Sequence, residues 1–204
     1  MKFPRKSLAA AGAAALVMVA GAAYAGPPWT VSVGGDSTGS PASYTAETIG
    51  ASPQIEFTVP GLNLGCDSGT AEGVIIPGPT SGKAGEIADT EFIDCIGPLD
   101  IDLEVTQNAT WDIEITGDNV GGVTPGAITN VDASVSNPDG LCSFDVTGEV
   151  GGAFDENTQQ LSVSGGGLTV SNVDQCFGLI LNGDPATFDG TYQLADIDTV
   201  TIAN

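Results

Sequence analysis

The segment Asp94–Val105, DCIGPLDIDLEV, sets Asp100, Asp102 and Glu104 at every second position, and Asp112 and Glu114 repeat the spacing shortly after. Carboxylates in such a pattern support two kinds of chemistry. Two acids set about 5 to 9.5 Å apart can hydrolyse a glycosidic bond. A larger group of oxygens can bind calcium, which takes six to eight of them. Asp100, Asp102, Glu104, Asp112 and Glu114 are therefore the candidate metal ligands. The plainer reading is the wet face of a strand whose inner face is Ile101, Leu103 and Val105. Alternate residues on one strand lie about 6.5–7 Å apart, too far for a single strand to wrap an ion. A neighbouring strand, carrying Asp112 and Glu114, would have to complete the patch.

Most other chemistry is excluded by residue type. The chain has no His, so neither a Ser-His-Asp nor a Cys-His arrangement can form. Lys83 lies in PTSGKAGE, where a Ser81–Lys83 pair would need a desolvated lysine and a Gly/Ser loop is a poor place for one. The glycine spacing of a phosphate loop is missing before it. No catalytic residue is assigned, no cofactor is expected beyond calcium, and the expectation is a protein that is not an enzyme. Four short loops offer further oxygens: Gly117–Asn119, Asp155–Asn157, Asn182–Asp184 and Asp196–Asp198. Each reads first as a turn or Asx cap. Asn108-Ala-Thr110 fits the N-glycan acceptor rule.

The N-terminus reads as a secretory signal over 1–25. Lys2, Arg5 and Lys6 precede an apolar run, Leu8–Ala23, and Ala23-Tyr24-Ala25 fits the small-x-small cleavage rule. The run is short for a membrane span, and the C-terminus shows no apolar tail, so release or non-covalent retention at the cell surface is expected. Cleavage removes three of the four basic residues and leaves only Lys83 against 26 acids, a formal charge of 1 − 26 = −25. Such a chain repels nucleic acid and anionic membrane surfaces. Cations, cell-wall glycan, basic proteins or further copies of the chain remain as partners. An extracellular location also suits the even number of cysteines, Cys66, Cys95, Cys142 and Cys176, which favours disulfides over zinc in the absence of His and of any CxxC.

These side chains must be positioned by strands. No stretch after the signal has a helical period; segments of period 2 recur between Gly, Pro, Asn and Asp turns. They are 29–33, 44–49, 54–59, 70–76, 86–95, 99–106, 110–116, 127–135, 141–150, 160–164, 168–173 and 186–194. A dozen short strands predict an all-β fold, an antiparallel β-sandwich or barrel-like arrangement of Greek-key type. Residues 26–204 are expected to form one domain, with two pseudo-repeated halves meeting near 117–126. The echo aligns the Cys66 segment with the Cys142 segment, and Cys95-Ile-Gly with Cys176-Phe-Gly. One bridge within each half, Cys66–Cys95 and Cys142–Cys176, is the simplest pairing that respects it. A barrel that forms a pore in an outer envelope is the third architecture; it needs a continuous apolar outward band, and the cysteines and prolines speak against it.

The stretches CIGPLDIDLEVTQNATWDIEITG, GGVTPGAITNV and CFGLILNGDPATFDGTYQL resemble uncharacterised secreted β-proteins of actinobacteria. A more distant likeness is to small secreted activator proteins of alkane oxidation in pseudomonads. The resemblance covers most of the mature chain and rests on turns, cysteines and core residues. It implies an exported, disulfide-bonded β-fold and transfers no functional residue. The function expected is that of an exported, acidic, non-catalytic protein of the cell surface or extracellular matrix. The alternatives are a carboxylate-based glycan hydrolase and a calcium-dependent adhesion module. The tryptophans, Trp29 and Trp111, bear on the hydrolase reading because sugars stack on exposed aromatics; alternation puts Trp111 on the core face with Ile113 and Ile115.

Overall fold

Alternating apolar and polar residues bounded by turn residues fold into strands almost throughout. The computed structural model describes residues 29–60, 62–97 and 100–204, so the signal read at 1–25 lies outside the described residues. Its strands are β1 (Trp29–Val33), β2 (Ala42–Thr48), β3 (Ile55–Val59), β4 (Leu62–Ile75), β5 (Gly78–Thr80), β6 (Lys83–Ile96), β7 (Asp102–Gln107), β8 (Trp111–Ile115), β9 (Val123–Ser136), β10 (Cys142–Asp155), β11 (Gln160–Gln175), β12 (Pro185–Ala195) and β13 (Val200–Ala203).

Strands β2 and β3 lie end to end between β4 and β12, and β7 and β8 lie end to end between β6 and β9. With each such pair taken as one stave, eight staves close an antiparallel barrel. Closure comes from β12, which pairs with both β2 and β3. It removes the free edges that two stacked sheets would leave. Passing round the wall follows the chain: β2/β3, β4, β6, β7/β8, β9, β10, β11, β12 and back to β2/β3.

This up-and-down order corrects the Greek-key expectation. The Gly-rich segment 117–126 does not cross an end of the barrel. It turns β8 back onto β9, and the two strands pair from Asp112↔Thr129 to Ile115↔Gly126. Adjacent antiparallel staves need only such a return. Staves from both sides of 117–126 are needed to close the wall, so the two halves share one core.

Long strands bend to follow the wall. Gly148 on β10 and Gly167 on β11 adopt φ of +137° and +138°, and an added Cβ on either would run into backbone of the other strand. Register shifts fall beside both glycines. Bulges and glycine kinks of this kind impart the curvature that a barrel requires. The same effect makes 160–164 and 168–173 one strand, β11, with Gly165–Gly167 as a bend inside it.

A separate three-stranded sheet, ordered β13-β1-β5, covers one end of the barrel. Its strands attach at that end because β1 leads into β2, β5 joins β4 to β6, and β13 follows β12. Val31, Val200 and Ile202 are buried beneath it. The disulfides Cys66–Cys95 and Cys142–Cys176 lie toward the opposite end. They join β4 to β6, and β10 to the turn after β11, on opposite walls.

Inside the barrel the core is apolar and not completely filled. Ala46, Ala71 and Ala84 point inward, and with Val31, Val200 and Ile202 they border a cavity of ≈110 Å³ under the cap sheet. A second apolar space of ≈70 Å³ lies toward the disulfide end, with Trp111, Leu168 and Phe188 on the walls of both. At roughly 24 cal/mol per Å³, leaving the larger one empty costs about 2.5 kcal/mol.

Candidate functional site

The acidic stretch that motivated a metal site divides at its first member. Asp100 precedes the strand, with φ of +57°, and is exposed. Asp102 and Glu104 lie on β7, exposed on either side of buried Leu103. The alternation anticipated the outward face of Asp102 and Glu104, while the strand begins after Asp100. Leu103 is buried, and Ile101 and Val105 pack on the core.

Asp112 and Glu114 do not complete the patch. The expected neighbouring arrangement of their strand beside β7 is corrected by the pairing, because β7 and β8 are the two parts of one interrupted stave. Glu104 faces Ser136 of β9, whereas Asp112 faces Thr129 of β9 and Glu86 of β6. Both carboxylate oxygens of Asp112 already have partners: Lys83 Nζ lies 2.7 Å from Oδ1, and Asn130 Nδ2 donates to Oδ2 at 2.8 Å. Among the described residues, no three Asp, Glu, Cys or His side chains converge as ligands for one ion.

Lys83 is held by this exterior cluster. Its ammonium also contacts Glu86 Oε1 at 2.6 Å. The hydrogen bonds it donates, to Asp112 first and then to Glu86, push its pKa above the ordinary lysine value. A lysine kept charged in this way is a poor base for Ser81. The sequence could have suggested the pairing, since Lys83 is the one lysine or arginine among the described residues and its strand precedes an alternating acidic one.

Each of the four oxygen-rich loops serves a structural contact. Asp155 accepts from its own turn, from Asn157 N at 2.9 Å and Nδ2 at 3.0 Å. Asp184 Oδ2 accepts from Leu181 N at 2.8 Å, and Asp196 Oδ2 accepts from Thr45 Oγ1 at 2.7 Å. Asn119 and Glu156 fasten the cap. Asn119 Nδ2 donates to Glu156 Oε1 at 2.7 Å and to Ile202 O at 3.0 Å, and the same Glu156 oxygen accepts from Ile202 N. Gln159 adds a two-way link to Val200: Nε2 donates to its carbonyl at 3.0 Å, and Oε1 accepts from its N–H at 2.8 Å. These side chains satisfy the outer edge of β13, a role the sequence pattern did not disclose. Asn108 of the glycan-acceptor triplet is exposed, its amide donating to Asp132 and Ser134 at 2.9 Å each.

Both tryptophans are buried in the interior. Trp111 is buried in the barrel wall, with Nε1 donating to Asp132 O at 3.3 Å. Trp29 is buried in the cap, with Nε1 donating to Asp118 Oδ1 at 3.4 Å. Neither presents a flat face to a sugar beside two carboxylates. Burial also pushes the Tyr44 and Tyr192 hydroxyls well above the ordinary tyrosine value, so they stay neutral.

Most of the large apolar side chains exposed among the described residues, Ile49 in mid-wall apart, lie toward the two ends. Leu141, Phe177, Leu179 and Leu181 sit in the connections at the disulfide end, with Ile96 at the close of β6. Phe177 follows Gln175 and Cys176 in a run of positive φ, +61°, +46° and +55°, beside the Cys142–Cys176 bridge.

Comparison with known proteins gives no relative: no family model, no curated protein and no solved structure matches the chain.

Proposed function

We propose that this chain acts outside the cell as a non-catalytic, acidic surface or matrix protein that binds partners rather than transforming them. The observation that carries this reading is the location of the charge. None of the 26 Asp and Glu residues is buried, and one lysine accompanies them on the exterior of the folded chain. A closed apolar barrel with a uniformly anionic outside resists self-association by charge and attracts cations and basic or neutral polymers. Two bridges on opposite walls suit an oxidising compartment. The hydrolase alternative loses its support from Trp29 and Trp111, since both are buried.

Fractionation of intact cells tests the reading. The protein should be recovered outside the cytoplasmic membrane, beginning near Gly26, with all four cysteines oxidised. Purified cell-wall glycan or a basic protein should retain it in a salt-sensitive manner. A cytoplasmic protein with free thiols, or a glycan-hydrolysing activity in the purified material, overturns the proposal.

A further inference from the structure

We infer that the space beneath the cap sheet is a binding site for a small, neutral, apolar molecule carrying one hydrogen-bonding oxygen, anchored by the hydroxyl of Thr124. The inference is independent of the exterior role proposed above.

Three observations carry it. The cavity of ≈110 Å³ is of the same order as the roughly 150 Å³ apolar cavity that accommodates benzene. It exists because inward positions on three neighbouring staves are alanine: Ala46 on β2, Ala71 on β4 and Ala84 on β6. An eight-stave barrel is just wide enough to be filled by side chains or to hold one small ligand. Ala46 and Ala71 face each other across β2 and β4, Ala84 lies nearer the cap, and small side chains there leave room for the second outcome.

The second observation is an unpartnered polar group. Thr124 is 2% exposed and borders the cavity, and its Oγ1 has no hydrogen-bond partner. The Oγ1 of Thr90, on the same wall, is likewise buried without a partner. A buried hydroxyl left unpaired is costly, so it marks a place where a partner is missing. Water is a poor partner here. A buried water requires two to four polar contacts, and apart from Thr90, Glu114 and the two tyrosines, Tyr44 and Tyr192, the side chains around Thr124 are apolar. One polar atom on an apolar body matches the wall better.

The third observation concerns charge. Glu114 borders the cavity, but the inward positions of its strand are Trp111, Ile113 and Ile115. No cationic side chain lines the space to neutralise an anion. The ligand is therefore uncharged. Val31, Val200 and Ile202 of the cap form its roof, so entry passes by way of β1 and β13.

Methyl-detected NMR titration of the oxidised protein with phenol and with benzene tests the assignment. Both should bind saturably at one site, shifting the methyl signals of Val31, Val200 and Ile202, and phenol should bind the tighter. Thr124→Val should weaken phenol by roughly three- to tenfold, leave benzene unchanged and raise the melting temperature of the free protein. Ala71→Leu and, separately, Ala46→Leu should abolish binding of both probes without lowering the melting temperature. Two folded leucine variants that still bind overturn the location. Equal phenol affinity in Thr124→Val and the parent overturns the anchor. No saturable binding of either probe at millimolar concentration overturns the site altogether.

Discussion

Cys66 and Cys95 stand directly opposite one another on β4 and β6, with Cα atoms 3.9 Å apart and their sulfurs joined. The bridge ties two adjacent staves that are already paired along their length, so its value lies mainly in the unfolded chain. Closing a loop of 29 residues' separation removes about 3.5 kcal/mol of denatured-state freedom. The double variant Cys66→Ala/Cys95→Ala should lose that much in urea denaturation and keep its far-ultraviolet spectrum. Peptide mapping without reductant, with a glutamate-specific protease that cuts between all four cysteines, should recover Cys66 with Cys95 and Cys142 with Cys176; a Cys66–Cys142 peptide would contradict the pairing of the staves.

Lys83 separates Glu86 from Asp112, its ammonium 2.6 Å and 2.7 Å from their oxygens. Its side chain is 39% exposed, so water and salt screen the pair and its net value is under about 1 kcal/mol. A lysine pKa raised by folding adds stability that is fully present below the ordinary lysine value and is lost as pH rises through the higher folded value. Lys83→Met should therefore lower the melting temperature slightly at pH 7 and low salt. The difference should shrink in molar sodium chloride and vanish at strongly alkaline pH. An unchanged difference across both ranges would assign the effect to the methylene stem instead.

Alternation made the wall legible, and burial of Trp111, Ile115 and Leu103 follows from it directly. Strand ends and connectivity were less legible, for physical reasons. Gly165–Gly167 reads as a turn because glycine is a poor strand former, yet in a curved wall it supplies the bend within β11. The short strands β5 (Gly78–Thr80) and β13 (Val200–Ala203) carry too few residues to show a period, and tertiary pairing with β1 defines them. Alternation puts Asp102 and Glu104 outward, where they lie exposed, but it misses that Asp100 precedes the strand and says nothing of where Asp112 and Glu114 sit relative to them. Their separation along one stave was hidden because alternation reports the face of a strand and not its neighbour. The cavity was invisible for a related reason: Ala46 and Ala71 meet only when β2 pairs with β4, and Ala84 joins the same space only when β6 is set beside them.

Charge repulsion and specific carboxylate contacts pull in opposite directions as pH falls. Asp145 accepts from Asn172 Nδ2 at 2.7 Å and from Ser134 Oγ at 2.8 Å, and these bonds hold its pKa below the usual aspartate value. Asp36 and Asp155 are lowered in the same sense, first by the backbone N–H of Thr38 and of Asn157 respectively. A depressed folded pKa gives stability that is present above about pH 4 and is lost as pH drops through the folded value. Above that range, a protein with 26 acids against so few cations is destabilised by its own field. Stability to urea should therefore rise from pH 8 to about pH 5 and fall below about pH 4. Sodium chloride should stabilise at pH 7 and do much less at pH 4.5. Millimolar calcium should act no more strongly than sodium at equal ionic strength if its effect is screening alone; a larger shift would revive a specific calcium site. A stability maximum above pH 8 would show that repulsion is not the governing term.

Glu156 and Gln159 are the fastenings of the cap, and they predict a local opening. Between them they occupy the N–H groups of Val200 and Ile202 and the carbonyl of Val200, all on the free edge of β13. Removing a charged acceptor from such a group costs about 1.5–3 kcal/mol, and removing a neutral amide costs about 1 kcal/mol. That loss falls on β13 and β1 and not on the barrel, whose staves retain every ladder bond. Glu156→Ala and Gln159→Ala should therefore speed hydrogen exchange at Val200 and Ile202 by roughly ten- to a hundredfold at native pH. Exchange at Val146 and Val170, in the centre of the β10–β11 pair, should change far less. Glu156→Gln keeps an oxygen in place and should recover part of the protection. Uniform acceleration throughout the protein would mean that cap and barrel open as one unit, and that β13 has no independent motion.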